Sequence, residues 1–207
     1  MVTKVALIGL SANAKTSWAS RAHLPYLLSA RGREHYQVTA LLNSSVGAAQ
    51  AAIAEYFPAE ERAGIKAYGK PEDLAADPNV DLVVTNTRVD VHHRTSLPSV
   101  RAGKQAYVEW PLASHERDVA ELADASSSTN SVSVVGLQGR YSPVILKLGD
   151  TIAAGAIGKV LSSEVRVFGG TNGRDTIIEG LEYFSKREVG GNVFTIGFAH
   201  CKLLPTT

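Results

Sequence analysis

Lys4-Val5-Ala6-Leu7-Ile8-Gly9-Leu10-Ser11-Ala12-Asn13-Ala14 is the stretch whose reading decides the fold. Lys4 to Gly9 is a short apolar run of the kind a buried strand requires, and a helical stretch follows from about Trp18 to Arg31. The same alternation continues outward. Tyr36 to Leu42 is a second strand and Val46 to Tyr56 an Ala-rich helix; Ile65 to Tyr68 is a short strand, with Pro71 opening a helical turn through Ala75. Asp81 to Thr85 and Lys104 to Glu109 are the next strands, separated by a helix from His92 to Ala102. Ser114 stands as N-cap of a helix through Ala125, with Arg117 where a capping box would have Glu, and Val132 to Leu137 is a sixth strand. Strand and helix alternating this often implies parallel strands joined by right-handed crossovers, hence a doubly wound α/β sheet.

Past Gly139 the rhythm changes. Ser142 to Ala154 reads as one more helix, Val160 to Phe168 as an alternating strand, and Val193 to Phe198 as a short apolar run. The expected organisation is a Rossmann dinucleotide-binding domain over residues 1–137 and a second unit over residues 138–207, small for a core of its own.

Composition narrows the function. The 207 residues are 44% hydrophobic and 20% charged, the profile of a folding chain. Lys and Arg total 21 against 20 Asp and Glu, with no run of like charge, which argues against nucleic acid as a direct partner. Cys201 is the single cysteine, so an intrachain disulfide and multi-cysteine metal sites are excluded. Val5 to Leu10 is too short for a signal-peptide core or a bilayer span, and the expectation is a cytoplasmic protein without membrane attachment.

In a doubly wound sheet, ligands bind beyond the carboxyl ends of the strands. A dinucleotide fingerprint places glycines at the positions of Gly9, Ser11 and Ala14, and only Gly9 is present. Ser11 and Ala14 are small enough for backbone to approach a pyrophosphate, and Thr16 or Ser17 can cap the helix that follows; a plain strand-to-helix turn is the alternative. The second strand ends at Asn43-Ser44-Ser45, without the acidic residue an NAD ribose favours. Asn43, Ser44 and Ser45 suit a 2′-phosphate and tilt the reading toward NADP, although Ser45 serves equally as a helix N-cap. His92 and His93 are adjacent, so they point to different faces of a helix, and no metal site is read there.

Taken in order, Val5-Ala6-Leu7-Ile8-Gly9, then Asp81-Leu82-Val83-Val84 with Thr87 and His92, then Val108-Glu109-Trp110-Pro111-Leu112-Ala113 resemble the Gfo/Idh/MocA oxidoreductase family. Gly9-Leu10-Ser11-Ala12, Val108-Glu109-Trp110 and Leu137-Gln138-Gly139-Arg140-Tyr141-Ser142-Pro143 resemble its branch around the fungal galactose-regulon repressor. Gly155-Ala156-Ile157-Gly158-Lys159-Val160 fits the family's entry into its second domain. The resemblance implies a Rossmann domain followed by an α+β domain, with NAD or NADP and a small-molecule ligand in the cleft between them. It puts the glycine turn on Gly9, nicotinamide-side contacts on Thr87, His92 and Glu109, and cleft-lining roles on Gln138 and Arg140.

Two departures from the family pattern bear on activity. Catalytic members carry Lys between the Glu and Pro of the fifth-strand motif, where this chain has Trp110, and an indole N–H cannot shuttle a proton near neutral pH. Catalytic members also carry Asp four residues before a second-domain His; His200 matches that His, but position 196 is Ile. The chain also stops seven residues after His200, short of the family's second sheet, so a homo-oligomer covering exposed apolar faces, or a truncated and repurposed product, is expected. Three functions stay open: nucleotide binding without efficient hydride transfer, in a regulator or scaffold; an NAD(P)-dependent oxidoreductase on a sugar-like or small hydroxyl or carbonyl substrate, with His200, Tyr141 or water managing the proton; and a non-redox isomerase, dehydratase or cyclase in which nucleotide binding is lost and an apolar substrate sits beside Trp110 and Tyr141.

Overall fold

Val5 and Leu7 turn to one face of the first strand, Ala6 and Ile8 to the other, and all four are buried. A strand with no polar face needs a helical layer on each side. The computed structural model describes residues 1–14, 16–166, 175–192 and 195–196, and it builds that arrangement. Strands β1 (Thr3–Ile8), β2 (Tyr36–Leu42), β3 (Lys66–Tyr68), β4 (Leu82–Thr85), β5 (Gln105–Glu109) and β6 (Ser133–Gly136) form one sheet in the order β3-β2-β1-β4-β5-β6, every pair parallel.

A π-helical turn (Ala19–His23), α1 (Leu24–Leu28) and α3 (Val46–Tyr56) cover one face, where Leu24, Leu27 and Ile53 meet Val5, Leu7, Leu41 and Val84. Helices α5 (Pro71–Ala75), α6 (His92–Arg101) and α7 (Glu116–Thr129) cover the other, where Leu74, Leu97, Val100 and Leu122 meet Ile8, Leu42, Val83 and Val108. The register of β2 slips where Val5 pairs with Val38 but Ala6 with Ala40. The extra residue, Thr39, reverses the alternation, so Val38 and Leu41 serve one core while Ala40 and Leu42 serve the other.

Local chemistry decides where the elements depart from the sequence reading. The helix expected from Trp18 to Arg31 is broken at Ser29, which is extended and accepts a 3.0 Å hydrogen bond from the Gly32 amide, opening a separate turn, α2 (Ala30–Arg33). A further short helix not read from the sequence, α4 (Ala59–Arg62), follows Pro58. Ser114 is not the N-cap of α7: its hydroxyl donates to the Val189 carbonyl at 2.6 Å and the cap position falls to His115. That helix continues past Ala125, with Ser128 and Thr129 donating back to the Ala125 carbonyl at 3.0 and 2.8 Å, until Asn130 closes it in the left-handed conformation.

Beyond β6, α8 (Pro143–Ala153) is capped by Ser142, as its Ser-Pro start leads one to expect. Residues 160–166 form no strand, against the strand expected from Val160 to Phe168, whose last two residues lie outside the described ones. A strand needs a neighbour to take its ladder bonds, and no described residue past β6 provides one. Of the run Val193 to Phe198 only Thr195 and Ile196 are described; they stand in a helical turn in which the Ile196 amide donates to the Asn192 carbonyl at 2.9 Å. Among the described residues no helix is long and apolar enough to cross a membrane.

Candidate functional site

The carboxyl ends of β1, β4 and β5 converge on Gly9, Asn86-Thr87 and Glu109. Gly9 has φ +95°, and a Cβ there would stand 2.7 Å from the Thr87 methyl, so only glycine fits the turn. The loop behind it is pinned from outside: the Asn43 amide donates to the Leu10 carbonyl at 2.7 Å and to that of Ala48 at 3.3 Å, and the Tyr56 hydroxyl donates to the Ser11 carbonyl at 3.2 Å. Ser11 accepts from the Asn13 amide, Ser45 caps α3 by accepting from the Ala48 amide, and Ser44 is exposed.

A cavity of about 550 Å³ opens at this edge. Of the residues singled out in the sequence, it gathers Thr16, Ser17, Thr87, His92, Glu109, Trp110 and Gln138. Gly9, Ser11, Asn43, Ser44, Arg140 and Tyr141 do not line it, and Tyr141 is 78% exposed. His200 lies outside the described residues. The segment after residue 179 closes the far side with Tyr183, Phe184 and Ile196.

His92 is buried with Nδ1 2.9 Å from the Pro111 carbonyl and Nε2 2.7 Å from that of Thr87, so it ties the β4 loop to the turn after β5, where Trp110–Pro111 is a cis peptide. Burial pushes its pKa below the ordinary value, against the pull of the two carbonyls and the Glu109 charge. A depressed imidazole pKa means that the unfolded chain binds the proton first, so stability falls with pH below about 6.5. Urea unfolding between about pH 7.5 and pH 5.5 should show that loss, at most about 1.4 kcal/mol per pH unit from this group, and His92→Gln should flatten it.

Glu109 accepts from His23, whose Nε2 lies 2.5 Å from Oε1; the His23 ring meets Tyr107 edge-on, centroids 5.3 Å apart. Burial, then the Glu109 charge, pushes the Tyr107 phenol up to about 12, so it stays protonated. The Trp110 indole N–H donates to the Thr195 carbonyl at 2.7 Å. Asn86 Oδ1 and Thr87 Oγ1 are buried beside the cavity and have no partner among the described residues. Arg88 forms a two-pronged pair with Asp90, both contacts at 2.6 Å, and its guanidinium lies 5.9 Å from the Tyr183 ring centre. Buried polar atoms left open, a turn that admits no side chain and the Arg21 guanidinium at the rim fit a polar, phosphorylated cofactor such as a nicotinamide dinucleotide.

Asn86 and Arg88 belong to the polar stretch after β4, whose place at a strand's carboxyl end already marks it as cleft-lining, but Trp18, Arg21, His23 and Tyr183 were not legible as site residues. Tyr183 carried no signal, because it reaches the cavity through an irregular segment with no periodicity to place it.

Comparison with known proteins agrees with the fold. The chain is 33% identical over 165 residues to dehydrogenase aclE of Aspergillus oryzae, covering 79% of this chain and 43% of that protein. It is 26% identical over 203 residues to the galactose/lactose metabolism regulatory protein GAL80 of Saccharomyces cerevisiae, covering 95% of this chain and 45% of that protein. The crystal structure of a super-repressor mutant of Gal80p from Saccharomyces cerevisiae superposes with a TM-score of 0.82 at 25% identity, over 97% of this chain and 50% of the other. The chain thus spans about half the length of the relatives it matches. Residues 143–203 match the C-terminal domain of Gal80p. Residues 3–137 match the oxidoreductase family with NAD-binding Rossmann fold, and the chain belongs to that family, Gfo/Idh/MocA.

Proposed function

We propose that the cavity at the carboxyl edge of the sheet binds a nicotinamide dinucleotide without transferring hydride efficiently. The observation that carries this reading is the Trp110 indole, whose N–H is spent on the Thr195 carbonyl and which brings no exchangeable proton to a reacting oxygen. A bound nicotinamide would supply hydride chemistry; with an indole at position 110, where catalytic members of the family carry lysine, the chain keeps the binding and turns over poorly. The similarity to GAL80, a regulatory protein, supports the same reading. NADP is favoured over NAD because residues 43–45 offer no carboxylate to a ribose 2′-OH, and Ser44 is the one of the three with a side chain not already engaged.

Titration of the protein with NADPH and NADH, read by calorimetry, tests it. Micromolar binding is expected, about tenfold tighter for NADPH, with no change in nicotinamide absorbance on adding small polyols. Absence of binding at millimolar nucleotide overturns the reading. Trp110→Phe should leave the affinity within a few-fold, because the indole N–H points to backbone and not to a ligand.

A second reading, an oxidoreductase on a small hydroxyl or carbonyl substrate, is favoured by the 33% identity to dehydrogenase aclE and by a carboxylate, Glu109, on the cavity wall. Nicotinamide oxidation or reduction that depends on such a substrate selects it. We also propose that a second copy of the chain covers the apolar side chains on and beyond α8, where Val144 is 75% and Leu161 87% exposed, a state that sedimentation reads directly.

A further inference from the structure

We propose that a second cavity, on the His23 side of the His23–Glu109 pair, binds a small phenol, with the imidazole of His23 accepting its hydroxyl proton in a hydrogen bond. This cavity, about 360 Å³, lies between the helical stretch after β1 and the strands β2, β4 and β5. Its walls are Trp18, Tyr26, Tyr36, Tyr107, Leu27 and Val84. That is a volume for a one-ring or two-ring molecule, in a groove open to solvent where Trp18 and Tyr26 are about half exposed. Four aromatic walls favour a planar ring: Tyr26 and Tyr36 already stand tilted at 60° with centres 6.3 Å apart, and His23 and Tyr107 at 71°, leaving faces and edges for one more ring. The mostly apolar walls, with Gln138 at one edge, favour a ring over a sugar, whose many hydroxyls need more partners.

His23 adds a directional requirement. Its Nε2 stands 2.5 Å from Glu109 Oε1, and a carboxylate there places the ring proton on Nε2. In the neutral ring Nδ1 is then an acceptor, and it has no partner among the described residues. An acceptor held beside an aromatic cavity selects an aromatic molecule that can donate. The carboxylate and the imidazole thus face different ligands: Glu109 lines the nucleotide cavity and His23 the aromatic one. Trp18 and Gln138 line both cavities, so the two sites adjoin, while Tyr26, Leu27, Tyr36, Val84 and Tyr107 line the aromatic one and not the other.

The test compares phenol, anisole and benzene by calorimetry and ligand-detected NMR on the full chain, near neutral pH. Phenol should bind at a single saturable site. Anisole, which has the ring and the oxygen but no donor, and benzene should bind about tenfold more weakly, the loss of one hydrogen bond. His23→Phe, which keeps a ring in place, should bring phenol down to the level of anisole. Ala22→Leu, which pushes side chain into the cavity, should abolish binding of all three. Equal affinity for phenol and anisole in the unaltered protein overturns the proposal without recourse to any variant, as does the absence of saturable binding or phenol binding that survives Ala22→Leu. Nucleotide affinity is read separately, so failure of one site is told apart from failure of the other.

Discussion

Gly9→Val should abolish nucleotide binding and lower stability by about 3 kcal/mol, a fall in melting temperature of roughly 6–12 °C for a chain of this size. Two costs add at one position. The backbone sits at φ +95°, a region that a β-branched side chain rarely adopts. A Cβ would also meet the Thr87 methyl at 2.7 Å and the Thr87 amide nitrogen at 3.1 Å, atoms held in place by β4 and by the His92 bond to the Thr87 carbonyl. Relief has to come from moving the glycine turn away from the end of β4, which is the geometry a pyrophosphate requires. Thermal melts and nucleotide calorimetry on the same preparation measure both effects. A variant that melts within a degree or two of the parent would refute the close approach.

The second large effect belongs to Asp77, remote from the cavity. Its carboxylate is buried and accepts from the Tyr68 hydroxyl at 2.6 Å, the Asn79 amide at 2.9 Å and Lys66 at 3.1 Å. Burial would raise its pKa, but the three donors outweigh burial and hold it at about 2. Asp77→Ala removes the acceptor and leaves the Tyr68 hydroxyl and the Asn79 amide without partners, a cost of about 3 kcal/mol in urea unfolding near pH 7. The depressed pKa fixes the sign of the pH dependence. Between its ordinary value of 3.8 and about 2 the unfolded chain holds more protons, so the parent loses this stability as pH falls through that window and the variant has none to lose. Equal acid sensitivity in the two proteins would show that the network carries no weight.

The sheet was legible because its signals are local. Tyr36–Leu42, Val46–Tyr56 and Pro71–Ala75 begin and end where composition and turn chemistry put them, each bounded by a cap, a proline or a polar break. Side-chain choices between competing partners were not legible. Ser29 prefers the Gly32 amide to helix continuity, and Ser114 prefers a carbonyl 75 positions away to the helix beside it. The floor of the site was half legible: topology pointed to the strand ends and the loops after them, and the family resemblance put Thr87, His92 and Glu109 there. His23 is 86 residues from its carboxylate and reaches it through a π-helical turn, whose altered phase an ordinary helical count does not give.

The segment that closes the cavity is joined to the sheet through its backbone. Trp110 and Ser114 both donate to main-chain carbonyls, those of Thr195 and Val189, and Gly190, at φ +80°, passes so close to Ser114 that a Cβ would lie 2.6 Å from its Cα. A carbonyl is the same at every residue, so the two anchors supplied by Trp110 and Ser114, in the loop after β5, ask nothing of this segment's side chains. Tyr183 also meets the Arg88 guanidinium, but the side chains at positions 184 and 196 carry neither anchor. They can be exchanged to reshape the cavity wall, and with it ligand choice, while the hinge that carries them stays where it is.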